Sequence, residues 1–96
     1  MNAPSTTREV DAGVDTAARL EDMYQVVLFN DDHNSMEHVV LCLQRIFAHP
    51  EPLAIKIMLE AHENGKAIAE VEAETEARLH VGQLQSSGLT ATMERF

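Results

Sequence analysis

Between an apolar run that ends at Phe29 and an apolar helical pattern that starts at Met36 lie six consecutive polar residues, Asn30-Asp31-Asp32-His33-Asn34-Ser35. A strand-to-helix turn needs only a few of them. Acids just ahead of a helix N-terminus are favoured by the helix dipole, so one reading gives Asp31 and Asp32 a capping and solvating role. Two carboxylates, two amides and a hydroxyl exceed what a single cap consumes, and the same oxygens at a strand–helix corner would receive an ammonium group. A second candidate is His62, on the stripe Ile55, Met58, Leu59, His62 at i, i+3, i+4, i+7. One reading makes it a partly buried imidazole that caps or packs. The other puts it at the rim of an apolar patch, exchanging a hydrogen bond near neutral pH.

Other chemistry has less behind it. Five histidines (33, 38, 49, 62, 80) and sixteen acids offer metal ligands. None has zinc-motif spacing, and Asp31–His38 lacks the glycine and alternation of a calcium loop. No metal or other cofactor is expected. There is no nucleophile elbow, no phosphate loop and no plausible thiol–imidazole pair, so no enzyme activity is expected. Cys42, the single cysteine, falls inside a helical apolar pattern and reads as a packing residue rather than a nucleophile.

The elements that must position these residues follow from local pattern. Residues 1–22 are rich in Ser, Thr, Ala, Gly and charge without a sustained period, and read as a flexible extension ahead of a core domain over residues 23–96. Residues 23–29 are a strand. Met36, Val39, Val40, Leu43, Ile46 and Phe47 mark one helix face. Asn34 is its expected N-cap, Glu37 completes a capping box, and Pro50 ends the helix. Residues 51–63 form a second helix, with Pro52 in its first turn and Asn64-Gly65 as a left-handed stop. Residues 66–73 are a short strand. Residues 74–86 are a helix with Ala77, Val81 and Leu84 on one side and Glu74 paired to Arg78. Residues 89–94 are a last strand. The order β-α-α-β-α-β predicts a small α+β two-layer sandwich: a three-stranded, mostly antiparallel sheet with helices on one face.

Composition sets the outer bounds. Ninety-six residues suit one domain. Only four aromatics leave the core to Val, Leu, Ile, Ala and Met, and a net charge of −9 argues against nucleic acid or an anionic membrane as partner, because both need basic surface. The lone cysteine, the lack of a signal-peptide pattern and apolar runs of only about five residues predict a cytoplasmic protein that does not cross a membrane.

The segments Tyr24–Val40 (YQVVLFNDDHNSMEHVV), Ile57–Ile68 (IMLEAHENGKAI), Ala73-Glu74-Thr75 and Leu89–Thr92 together resemble the ClpS adaptor family over about residues 23–94. The resemblance implies a fold related to the C-terminal domain of the ribosomal stalk protein. It implies no catalysis. It implies binding of the first residue of a protein destined for degradation, an N-degron, and delivery to a ClpA- or ClpC-type AAA+ unfoldase that feeds a peptidase. The partners implied are substrate N-termini and that unfoldase, with the adaptor acting as a monomer.

Residue by residue, the resemblance implies that Asn30, Asp31 and His62 bind the α-ammonium and first peptide groups, with Asp32 as a supporting acid. It implies a hydrophobic pocket of Asn34, Met36, Val39, Met58, Ala61 and Leu89, with Met36 narrowing the entrance so that Leu, Phe, Tyr and Trp enter and Ile and Val are poor. Charge-assisted hydrogen bonds of about 1.5–3 kcal/mol each and burial of a Leu or Phe worth roughly 1.5–3 kcal/mol suit a micromolar or tighter complex, about −8 kcal/mol. Neutral His62 is expected to accept from the ammonium.

The chain departs from the family at several places. His33-Asn34-Ser35 stands where many members have Tyr-Thr-Pro. Ala61 replaces a usually larger apolar residue. Glu76 stands where lysine is frequent, on the surface implied to dock on the unfoldase, and His33 lies on or near that surface. The stretch between Ile68 and Ala77 is several residues shorter. These departures leave open a paralogue with altered or absent delivery. A generic interaction module and a small metal-binding protein are the competing classes.

Overall fold

Val26, Val27 and Leu28 are bulky, consecutive and apolar. In the computed structural model, which describes residues 22–96, they form the buried centre of strand β1 (Met23–Phe29). The extension expected over residues 1–22 lies, but for Asp22, outside the described residues. The other elements follow as α1 (Met36–Phe47), α2 (Glu51–Asn64), β2 (Lys66–Ala73), α3 (Glu74–Ser86) and β3 (Thr90–Arg95). The order is the expected one, with α2 ending one residue later than the sequence pattern suggested and β3 shifted by one residue at both ends.

β1 is central. It pairs antiparallel with β2 on one side and β3 on the other, in the order β2-β1-β3. Between Val26 opposite Glu70 and Val27 opposite Ile68, Ala69 is an extra residue and makes a bulge in β2. The His49 ring donates from Nε2 to the Ala69 carbonyl at 2.8 Å, so this edge carbonyl is satisfied from the α1–α2 connection.

Side chains alternate along β1, so Val26 and Leu28 share one face, and the core is built there. Leu43 from α1, Ala54, Ile57 and Ala61 from α2, and Ala77 and Leu84 from α3 close over them, together with Ala67, Ala69 and Ala91 of the outer strands. Cys42 is buried in the same cluster, the packing role expected of it. The many alanines let α2 lie close to the sheet without large side chains between them.

The caps show one departure. Ser35, not Asn34, is the N-cap of α1: its hydroxyl accepts from the His38 N–H at 3.1 Å, which puts Glu37 at the second helical position instead of the third. α2 stops as expected, at Gly65 with φ 90°, whose N–H returns to the Ala61 carbonyl. α3 carries the Glu74–Arg78 ion pair on its exposed face.

Candidate functional site

The polar corner after β1 is fixed to both of its neighbours. The Asn30 N–H donates to the Gly65 carbonyl at 2.9 Å, which ties the corner to the left-handed turn ending α2. His62 stands one turn before that stop. Asp31 Oδ1 accepts the backbone N–H groups of His33 at 2.9 Å and Asn34 at 2.8 Å, an Asx turn.

Asn34 then explains why it is not the cap. Its Nδ2 donates to both Asp31 oxygens, at 3.1 and 3.0 Å, and to the Gly88 carbonyl at 2.9 Å. Gly88 is in the left-handed region at φ 90°, and a Cβ there would meet Asn34 Oδ1 at 3.7 Å. One amide therefore locks the corner, the Asp31 carboxylate and the α3–β3 turn together. Partial burial pushes the Asp31 carboxyl up, but the donors of the Asn34 side chain and of the Asn34 and His33 backbones outweigh it. With a small contribution from His33, they hold the group below its ordinary value.

Behind this corner is a cavity of about 220 Å³. It gathers Asn30, Asp31, Asp32, Asn34, Met36, Val39, Met58, Ala61 and His62. Leu28 and Phe29 line it too, although no motif pointed to them; their place at the end of β1, where the corner begins, was the available signal. Leu89 lies elsewhere. It is buried in the core cluster and does not line the cavity, its N–H held by the Leu84 carbonyl just past the turn that Asn34 grips.

The cavity has two chemistries. Leu28, Val39, Met58 and Ala61 supply an apolar interior, while Asn30, Asp31, Asp32 and His62 supply the polar rim, with both ordinary charges negative. His62 is exposed and has no hydrogen-bond partner among the described residues. The packing or capping role weighed for it is therefore not the one it takes. The stripe Ile55, Met58, Leu59, His62 is only the edge of the buried face. α2 turns Ala54, Ile57, Met58 and Ala61 inward, because the alanines permit close approach to the sheet and the larger Ile55 and Leu59 do not.

A thiol–imidazole contact, absent from the sequence reading, is present: Cys42 Sγ is 3.5 Å from His38 Nε2, at i, i+4 on α1. The same Nε2 lies 2.9 Å from the Ser87 carbonyl, which can only accept. Nε2 thus carries the proton and cannot take one from the thiol, so the pair is a tether between α1 and the α3–β3 turn rather than an activated nucleophile. His33 and Glu76 are both exposed. Glu76 is in the first turn of α3, beside the Met23 end of β1, and His33 follows the Phe29 end. Six strand steps separate those ends, roughly 20 Å, so any one docking surface holding both must run the length of the sheet.

Comparison with known proteins gives a consistent result. A family model described as the ATP-dependent Clp protease adaptor protein ClpS matches residues 19–92. The ATP-dependent Clp protease adapter protein ClpS of Bdellovibrio bacteriovorus is 38% identical, over 97% of this chain and 89% of that one. The Mycobacterium leprae protein of the same description is 35% identical, over 96% and 83%. Among solved structures, Agrobacterium tumefaciens ClpS2 bound to L-phenylalaninamide matches with a TM-score of 0.69 at 27% identity, covering 79% of this chain and 99% of that one.

Proposed function

The chain belongs to the ClpS adaptor family, and from that premise we propose that it binds the free N-terminal residue of substrate proteins and delivers them to a Clp unfoldase–protease for degradation. The observation that carries the reading is the union of an apolar interior and an acidic, hydrogen-bonding rim in one small cavity. A chain start is the part of a protein that offers an α-ammonium and an unblocked side chain side by side. L-phenylalaninamide, the molecule on the Agrobacterium tumefaciens protein, has the same two features.

In this reading Asn30, Asp31 and His62 hold the ammonium and first peptide group, Asp32 adds negative potential, and Met36 stands at the entrance. Leu, Phe, Tyr and Trp are the residues taken. The protein itself performs no chemistry on the substrate. It acts as a monomer in the cytoplasm, with a ClpA- or ClpC-type unfoldase as partner; no helix among the described residues is long and apolar enough to cross a membrane.

The test is fluorescence anisotropy with a Leu-starting peptide, its N-acetylated form, an Ile-starting peptide and an Ala-starting peptide. The free Leu peptide is expected to bind in the micromolar range or tighter and the other three at least tenfold more weakly, each tenfold being about 1.4 kcal/mol: acetylation removes at least one charge-assisted hydrogen bond, Ala leaves the apolar interior unfilled, and Ile is hindered at Met36. Equal binding of the acetylated peptide would reduce the protein to a generic interaction module.

One observation favours a variant of this reading. Glu76 exposes a carboxylate, without an ion-pair partner among the described residues, where lysine is frequent in the family. Binding can therefore be intact while delivery goes to a different unfoldase.

A further inference from the structure

The first-residue cavity is not closed on all sides. Met36 and Met58 also line a second, wider depression of about 480 Å³ that lies between α1 and α2. Its surface is apolar through Val40, Leu41 and Ile55. Met36 is 45% exposed, Leu41 50% and Ile55 38%. Scattered exposed apolar residues are ordinary, but a contiguous group beside a binding cavity marks further contact. Glu37 and Glu51 stand in the same depression and no basic residue among the described residues lines it, so an acidic occupant is disfavoured.

We propose that this depression is a second subsite for the same polypeptide whose first residue fills the cavity, and that it takes an apolar side chain at the third position of that polypeptide. The proposal rests on the reading of the cavity as an N-terminal-residue site. With its ammonium at Asn30, Asp31 and His62 and its first side chain among Leu28, Val39 and Ala61, the bound chain must leave over the rim. In an extended chain, successive side chains point to opposite faces, so the first and third share a face about 6.6–7 Å apart. That step carries the third side chain past the Met36 wall and into the depression, while the second points to solvent. Continuity with the cavity selects this occupant, because any other partner on the depression would compete with the bound chain for Met36 and Met58.

The full chain should be titrated with three fluorescent peptides sharing one tail and starting Leu-Ser-Ser, Leu-Leu-Ser and Leu-Ser-Leu. Each is measured against the unaltered protein and against Leu41→Asp and Ile55→Thr, both at exposed positions outside the first-residue cavity. Leu-Ser-Leu should bind roughly 5- to 10-fold tighter than Leu-Ser-Ser, as partial burial of one leucine allows, and Leu-Leu-Ser should match Leu-Ser-Ser. Leu41→Asp should abolish the third-position gain and leave the affinity for Leu-Ser-Ser unchanged. No third-position gain, a gain at the second position instead, or a gain that survives Leu41→Asp would each overturn the subsite. So would self-association of the protein that Leu41→Asp abolishes, which would assign the depression to a second copy. If all three peptides fail to bind, or bind equally after acetylation, the N-terminal-residue reading itself fails and the subsite with it.

Discussion

Asp31 commits most of its acceptor capacity to its own loop. Oδ1 takes three donors, from the His33 and Asn34 backbones and the Asn34 amide, whereas Oδ2 takes only the Asn34 amide. Oδ2 therefore keeps room for an ammonium, and Asn34 fixes where that room is. Asn34→Ala should loosen the carboxylate and the Gly88 turn together and weaken a Leu-starting peptide roughly 10-fold, the scale of one hydrogen bond to a charged group. An unchanged anisotropy titration would show that the clamp does not serve binding. Asp31, held below its ordinary value by those donors, should carry its share of ammonium binding and loop stability above the ordinary carboxylate range and lose it only as pH falls below about 3.8. His62 has no partner among the described residues to hold it away from a ligand. His62→Ala should weaken a Leu-starting peptide roughly 10-fold, the scale of one hydrogen bond to a charged group; an unchanged anisotropy titration would remove His62 from the role.

At the scale of elements, the helices differ in how much of their design serves packing. α2 approaches the sheet through Ala54 and Ala61, and the second of these also forms part of the cavity wall. Its place in the core and its place in the site are the same fact, so a larger residue there would fill the pocket. α3 contains a position with no such constraint. Gly82 lies in the helix interior, is exposed, and a Cβ added there meets nothing within 4 Å. Gly82→Ala should stabilise the protein by about 0.5–1 kcal/mol by reducing the freedom of the unfolded chain. In thermal unfolding that is an increase of roughly 2–8 °C, with peptide affinity unchanged. An unaltered or lowered midpoint would mean that the backbone at Gly82 is needed as it is.

At the scale of the whole molecule, the proposed function divides binding from delivery, because residues 1–22 resemble the family's N-terminal extension, which the resemblance implies engages the unfoldase during handover. The cavity is assembled from the Phe29 end of β1, the start of α1 and the end of α2. The sheet begins at Met23, so deleting residues 1–22 removes none of these elements. The truncated chain should retain its peptide affinity and lose most of its ability to promote degradation of a Leu-starting substrate by a Clp unfoldase–protease. A collapse of peptide affinity in the truncated chain, measured by anisotropy, would contradict that division.

The element order and nearly every boundary were determined by the sequence, because strand and helix periodicities, Pro52, Gly65 and the polar corner are local signals. The residue types of the cavity were legible too, since they recur in a known family pattern. Other features were decided only in three dimensions. A 3.6-residue period defines a stripe but leaves neighbouring stripes on α2 nearly equivalent; packing chose Ala54, Ile57, Met58 and Ala61 because small side chains permit close approach to the sheet. Leu89 is apolar whether it lines a pocket or a core, and only its position past the Gly88 turn placed it in the core. Asn34 and Ser35 can both cap a helix, and local pattern cannot choose between them. The choice was made by the Gly88 carbonyl, distant in sequence and 2.9 Å away in space, which drew the Asn34 amide across the corner and left the cap to Ser35.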